Sequence, residues 1–209
     1  MSPSITFEDL LDTHGVVAGV DEAGRGPLAG PVFAAAVVVT REQLETLNRL
    51  PLRDSKKLTP RKREELYEKI TSTLTCASGM CSVATIDRIN ILQATFLAMK
   101  KSLDALRKQP NFVIVDGIQP IPNLSLPQIS LARADETVPL VSAASIIAKV
   151  QRDRLMTELS RHYPHYEFDR HKWYGTAIHL RHLEKYGPCP LHRTSFAPIR
   201  KLLPFTKSE

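Results

Sequence analysis

The chain has 209 residues, 43% of them apolar and 24% charged, which excludes a disordered, collagen-like or coiled-coil protein and sets one main core with room for an appendage. Its formal charge of +6 is uneven: residues 149–209 hold 12 Lys and Arg against 6 Asp and Glu, while residues 1–148 hold 16 of each. A basic end on a neutral body points to an anionic partner, nucleic acid foremost, with a solvated basic surface as the plain alternative.

In chain order, residues 16–22 (VVAGVDE) read as a short strand ending in acids. Residues 24–31 (GRGPLAGP) carry too much Gly and Pro for anything but a loop. Residues 32–40 (VFAAAVVVT) form a nearly continuous apolar run, as in a strand buried on both faces. Thr59 and Pro60 pair an N-cap with a proline at the first helical position, opening a helix to about residue 74. A strand follows over 74–84. A long helix is predicted over 86–108, with Ile89, Leu92, Phe96, Met99 and Leu103 on one stripe. Residues 112–115 (FVIV) form a short strand that ends at Asp116 and Gly117. Residues 128–134 read as a strand running into Asp135, and Thr137 is placed as the cap of a helix over 138–161. Beyond Tyr163 and Pro164 the chain turns polar and rich in His and Arg, with one more helix over about 176–186. The alternation predicts an α/β protein: a core over 1–163 and a basic, helical C-terminal extension over 164–209 that contributes to substrate binding.

The longest apolar stretch, 31–39, falls well short of the ~20 residues that span a bilayer. The first twelve residues lack the basic start and long apolar run of a secretory leader. Cys76, Cys81 and Cys189 show no disulfide-framework spacing. A cytoplasmic, monomeric protein with no membrane attachment is expected.

The acids are the informative residues. Asp21 and Glu22, Asp116, and Asp135 each close an apolar segment and precede a loop or helix. Side chains from separate strands converge at such strand ends in α/β sheets. Taken singly, an acid after a strand is ordinary. Taken together, converging carboxylates repel, two charges ~4 Å apart costing ~4 kcal/mol at an effective dielectric near 20. They are tolerated only if some protonate or hard cations lie between them. Oxygen-only ligands select Mg2+ or Mn2+, and a pair of such ions suits phosphodiester displacement. One tension remains: Asp21 and Glu22 are neighbours and leave an extended strand on opposite faces, so the strand must end or bend for both to reach one site.

At GVDEAGRGPLAGP (residues 19–31) the chain resembles the ribonuclease HII family, the prokaryotic type 2 ribonucleases H. Five further motifs follow in order: DSKKL (54–58), VDG (115–117), ADETVPLVSAASIIAKVQRD (134–153), YGT (174–176) and HRTSF (192–196). The resemblance covers residues 16–196. It favours this family over ribonuclease HIII, which has an extra N-terminal domain and a different glycine motif. It implies a ribonuclease H-like fold, a central mixed sheet flanked by helices with a helical C-terminal extension. It also implies cleavage of RNA in RNA–DNA hybrids and nicking of duplex DNA 5′ to embedded ribonucleotides, leaving 3′-hydroxyl and 5′-phosphate ends. The family's catalytic metal ligands map onto Asp21, Glu22, Asp116 and Asp135, with two Mg2+ or Mn2+ ions in the active complex. Asp135 matches the carboxylate that completes the second metal position.

For substrate binding, the resemblance assigns Gly24, Arg25 and Gly26, with Tyr174, to sensing the 2′-hydroxyl at a ribo–deoxy junction. Lys56, Lys57 and Lys172 suit phosphate contacts. Ser142, Ser145, Lys149 and Arg152 recur at spacings of three, four and three, one polar stripe on the helix after Thr137 that suits a nucleic-acid groove. Trp173, the only tryptophan, stands where the family motif before the tyrosine has glycine. It is strained if that position needs a positive φ, and offers a stacking surface beside DNA if it does not. Three rivals stand beside this reading. His179-x2-His182 followed by Cys189-x2-His192 resembles a zinc-ligand spacing, so a zinc-knot nucleic-acid-binding tail is one. The others are a nuclease of the same fold acting on other DNA structures and a catalytically silent binding module. The ending KLLPFTKSE hints at a tail that docks on a sliding clamp.

Overall fold

The computed structural model describes residues 6–52 and 58–203. It opens with helix α1 (Phe7–His14), absent from the sequence reading, whose Thr6 and Asp9 cap each other reciprocally. Strands β1 (Val16–Ala23), β2 (Val32–Thr40) and β3 (Thr75–Cys81) form an antiparallel meander, with short helix α2 (Leu44–Asn48) and helix α3 (Pro60–Thr73) between β2 and β3. Every residue of β2 is buried, as its apolar run requires. The Thr59 side chain accepts the Lys62 N–H and Pro60 occupies the first turn, so α3 starts where its cap predicts.

Helix α4 (Val83–Asp104) is not continuous. Asn90 adopts φ 65° and ψ 166°, and its side chain accepts the Gln93 N–H, capping a second helical stretch. The break divides the predicted stripe: Phe96, Met99 and Leu103 are buried, whereas Ile89 and Leu92 are half-buried.

Strands β4 (Phe112–Asp116) and β5 (Gln128–Leu131) lie parallel to β1, giving a mixed five-stranded sheet in the order β3-β2-β1-β4-β5. The predicted strand over 128–134 stops at Leu131. Beyond it, left-handed Arg133 leads into a four-residue helix, α5 (Ala134–Thr137). Thr137 therefore ends α5 and caps nothing; α6 (Pro139–Ser160) begins after extended Val138, with proline at its first position.

Two apolar layers sandwich the sheet. Alternate residues Val17, Ala35, Val37 and Ile114 pack under α6 and α3, while Ala18, Val20, Ala36, Val113 and Val115 pack under α4. A third cluster joins α7 (Phe168–His171), α8 (Ala177–Tyr186) and α9 (Ala197–Arg200) to Leu28 and Ala29 of the glycine-rich loop and to Met156 of α6. The C-terminal segment is thus packed directly on the loop that follows β1. Among the described residues no helix is long and apolar enough to cross a membrane.

Candidate active site

The parallel pairing of β1 with β4 ends at Val20 opposite Val115. Asp21, Glu22 and Asp116 follow at once, so three acids lie at the carboxyl ends of two adjacent parallel strands. One carboxylate oxygen from each lies within 4.8 Å of the others. Among the described residues no other group of three or more His, Cys, Asp or Glu side chains comes this close. The strand neither ends nor breaks to achieve this, since β1 remains paired with β2 as far as Ala23 opposite Phe33. Instead the Asp21 carboxylate turns along the chain and accepts the Glu22 N–H at 2.7 Å.

The cluster is electrostatically unfavourable for the protein alone. Burial pushes the Asp21 carboxyl well above the ordinary carboxylate range, and the charges of Glu22 and Asp116 push it further. The Ser145 hydroxyl and the Glu22 N–H oppose this in part. Burial also raises Glu22, against the Arg25 guanidinium 3.2 Å away. Asp116 is oriented by the Ala134 N–H, which donates to its Oδ1 at 2.7 Å. Three clustered carboxylate oxygens with no nitrogen or sulfur donor fit a hard divalent cation, and such an ion offsets the repulsion that disfavours the ionised form of Asp21.

Asp135 lies outside the group of three. It is buried in α5, one residue past the N–H that holds Asp116, and with Ser142 it lines a separate cavity of about 360 Å3. The predicted polar stripe of α6 divides its tasks. Ser142 is buried and donates to the Leu52 carbonyl at 2.7 Å. Ser145 bonds Asp21. Lys149 pairs with Asp153 at 2.6 Å. Arg152 is buried and turns to the glycine loop, donating to the Ala29 and Pro31 carbonyls, both at 3.2 Å.

A cleft of about 300 Å3 opens beside the carboxylates, lined by Glu22, Gly24, Ser145, Lys149 and Tyr174 together with Arg63 and Arg152. It therefore gathers residues that the sequence reading assigned separately. Gly24 has φ +96°, and a side chain there would collide with Arg152. Arg25 is exposed apart from its contact with Glu22. The Tyr174 ring, 49% exposed, lies against Gly26. Arg63 and Lys149 also line a larger adjoining groove of about 780 Å3, which Lys172 reaches. Lys56 and Lys57, with the rest of residues 53–57, lie outside the described residues.

Three arginines escaped the sequence reading in whole or in part. Arg63 carries only the ordinary signal of a charged residue in the first turns of a capped helix. Arg152, assigned to the groove, lines the cleft and in addition holds the glycine loop. Arg193, fully buried, donates to the carbonyls of the glycine loop. Trp173 does adopt a positive φ, 69°. Its indole is buried and stacked on Phe168 with centroids 3.4 Å apart, so it offers no surface to DNA. A left-handed backbone costs about 1–2 kcal/mol, and the buried stack offsets it. The zinc spacing is not realised among the described residues. His179 and His192 instead bond each other at 3.0 Å, and His182 turns to the Tyr166 carbonyl.

Comparison with known proteins agrees with this architecture. The family model for ribonuclease HII matches residues 18–199. The ribonuclease HII of Caldicellulosiruptor saccharolyticus is 51% identical over 191 residues, covering 90% of this chain and 91% of that protein. Among solved structures, the ribonuclease H2 of Pyrococcus horikoshii superposes with a TM-score of 0.76 at 30% identity, covering 90% of this chain and 96% of the other. The ribonuclease HII of Archaeoglobus fulgidus, solved in complex with PCNA, superposes with a TM-score of 0.69 at 28% identity over 85% and 91% of the two chains. The fold is ribonuclease H-like. With its family model matched across all but the two ends, this chain belongs to the ribonuclease HII family.

Proposed function

We propose that the protein cleaves the RNA strand of RNA–DNA hybrids and nicks duplex DNA on the 5′ side of an embedded ribonucleotide, leaving 3′-hydroxyl and 5′-phosphate ends. The observation that carries this reading is the convergence of Asp21, Glu22 and Asp116 beside a cleft that Glu22 lines together with Gly24 and Tyr174. Asp21, Glu22 and Asp116 would hold divalent ions, Mg2+ or Mn2+, and Asp135 would complete the second position by family likeness. Bound there, such ions supply Lewis-acid activation of water and charge neutralisation at the leaving 3′ oxygen.

The chain's own groups orient and select. The Glu22 N–H fixes the Asp21 carboxylate, and the Ala134 N–H fixes Asp116. Arg25 holds Glu22. Lys149 and Lys172 face the phosphate path, with Arg63 beside them. Gly24–Gly26 lets backbone approach the sugar, and Tyr174 offers a ring to the next sugar and a hydroxyl to its 2′-OH. The A. fulgidus relative is held by PCNA, and a sliding clamp is the protein partner we propose here, reached through the C-terminal tail. The tail beyond residue 203 lies outside the described residues.

The test is direct. A duplex with one ribonucleotide is incubated with the protein, with Mg2+ and with excess chelator, and both product ends are mapped. Mg2+-dependent cleavage 5′ to the ribonucleotide with 3′-hydroxyl and 5′-phosphate ends is expected. Cleavage that survives chelation, or cyclic phosphate ends, would overturn the reading.

A further inference from the structure

The segment Leu191–Arg193 lies beside Leu28–Gly30 as a short antiparallel strap. The Gly30 N–H donates to the Leu191 carbonyl at 2.8 Å, the Arg193 N–H to the Leu28 carbonyl at 2.9 Å, and Ala29 pairs with His192. Successive side chains on such a strap leave on opposite sides. Arg193 and His192 accordingly serve two different walls of the cleft.

Arg193 serves the glycine loop. A guanidinium has five N–H donors, and here they meet five backbone carbonyls. Nε donates to Gly30 at 2.9 Å; Nη1 donates to Arg25 at 2.9 Å and Pro27 at 2.8 Å. Nη2 donates to Gly24 at 2.5 Å and more distantly to Pro31 at 3.4 Å. The whole turn from Gly24 to Pro31 is wrapped around one side chain. Lysine, a point charge with three donors, cannot reproduce this fork.

His192 serves Tyr174, through a chain whose direction is fixed at both ends. His179 Nδ1 lies 2.9 Å from the Tyr174 carbonyl and must donate. In a neutral ring its Nε2 then accepts, so His192 Nε2, 3.0 Å away, donates. His192 Nδ1 is left as acceptor, and the Cys189 N–H meets it at 2.9 Å. The Cys189 carbonyl, 3.2 Å from the same nitrogen, is already engaged by the His192 N–H at 2.9 Å. Burial pushes both imidazoles down to about 4, which keeps them neutral as this relay requires. The two walls also meet directly, since the Leu28 N–H donates to the Trp173 carbonyl at 2.9 Å and Tyr174 Cε1 lies 3.1 Å from where a Cβ on Gly26 would project.

We infer that His192 and Arg193 are positioning residues that clasp the glycine loop to the Tyr174 segment, and that this clasp sets the protein's selectivity for a single ribonucleotide over a long hybrid. Neither residue lines the cleft beside the carboxylates, so neither is a catalytic residue. The inference rests on the proposed role of Gly24–Gly26 and Tyr174. A long hybrid offers many registers at which a displaced loop still finds a 2′-hydroxyl, whereas a lone ribonucleotide offers one. Misplacement of about 1 Å costs on the order of 100-fold when one geometry alone is productive.

The experiment measures kcat/KM on a duplex with one ribonucleotide and on an all-RNA/DNA hybrid, for the wild type and for His192→Phe, His192→Gln and Arg193→Lys. Mn2+ affinity and circular dichroism are recorded alongside. His192→Phe and Arg193→Lys should lower the single-ribonucleotide rate roughly 10- to 100-fold more than the hybrid rate, with Mn2+ affinity unchanged. His192→Gln, which keeps an N–H aimed at His179, should restore the ratio to within about threefold. If Arg193→Lys does not fold, the His192 pair decides alone. A ratio unchanged in His192→Phe, or equal losses on both substrates, overturns the clasp while leaving the functional reading intact. A wild type that cuts neither substrate overturns the functional reading and the clasp with it.

Discussion

Two regions of this molecule bury charge, and they do so in opposite ways. Beside the cleft Asp21, Glu22 and Asp116 crowd together, with the Arg25 cation against Glu22, and burial disfavours the ionised form of Asp21. In the wall of the cleft Arg152 is buried, and behind it Arg193, yet their donors meet backbone carbonyls. The guanidiniums are answered by dipoles within the fold; the carboxylates keep a mutual repulsion that, on the function proposed above, cations from outside would relieve. A buried charge satisfied internally organises structure, whereas one left in repulsion is a binding site held at a cost to the metal-free protein.

Breaking the carboxylate side should produce the largest effect. Asp116→Asn is expected to lower cleavage by about 1000-fold or more, over ~4 kcal/mol of transition-state stabilisation. The metal-free fold should be as stable as the wild type, because a like charge is removed. Single-turnover kinetics and denaturant melts in chelator check both halves. Breaking the other side should reverse the pattern. Arg193→Met leaves the carbonyls of residues 24–31 without donors and should cost about 3–5 kcal/mol of stability, read as a shifted urea midpoint.

Acidity sharpens the same contrast. His179 and His192, held down to about 4 in the fold, gain protons near 6.5 when unfolded. The unfolded state therefore binds more protons between these values, and stability falls as pH drops from 6.5 toward 4, by on the order of 3 kcal/mol for each ring. Asp21 has the opposite sign. Its folded value is raised, so its contribution is fully present below its unfolded value of 3.8 and is lost as pH rises through the folded value. Urea melts of the metal-free protein across this range should lose part of their acid-side slope in His192→Phe, and should lose part of their alkaline-side decline in Asp21→Asn. The smallest effect is expected at the junction between the regions. Tyr174→Phe removes one hydroxyl and should slow single-ribonucleotide nicking about tenfold, the worth of one hydrogen bond, and long-hybrid cleavage by less.

What the sequence made legible follows the range of the forces involved. The buried strand β2 and the cap at Thr59 and Pro60 are local signals, and the fold keeps both. Asp21, Glu22 and Asp116 are legible because strand ends are. Asp135 was read as a fourth strand-end acid, but the ladder stops at Leu131 and the turn through left-handed Arg133 puts it on a short helix. The break at Asn90 was hidden because its flanks both keep helical spacing. The histidine and cysteine spacing resembled a metal site in one dimension, while in three dimensions the rings bond each other and the backbone. Arg193 stands in the HRTSF motif, but nothing local gives its role, because its partners lie more than 160 residues away in sequence.

The most direct test of the central claim is calorimetric titration of Mn2+ into the metal-free wild type, Asp21→Asn and Asp116→Asn at neutral pH. If the three carboxylates form a site that waits for cations, the wild type binds Mn2+, and each variant binds at least about tenfold more weakly, over ~1.4 kcal/mol. Equal affinity in all three proteins, or no binding by the wild type, would contradict it.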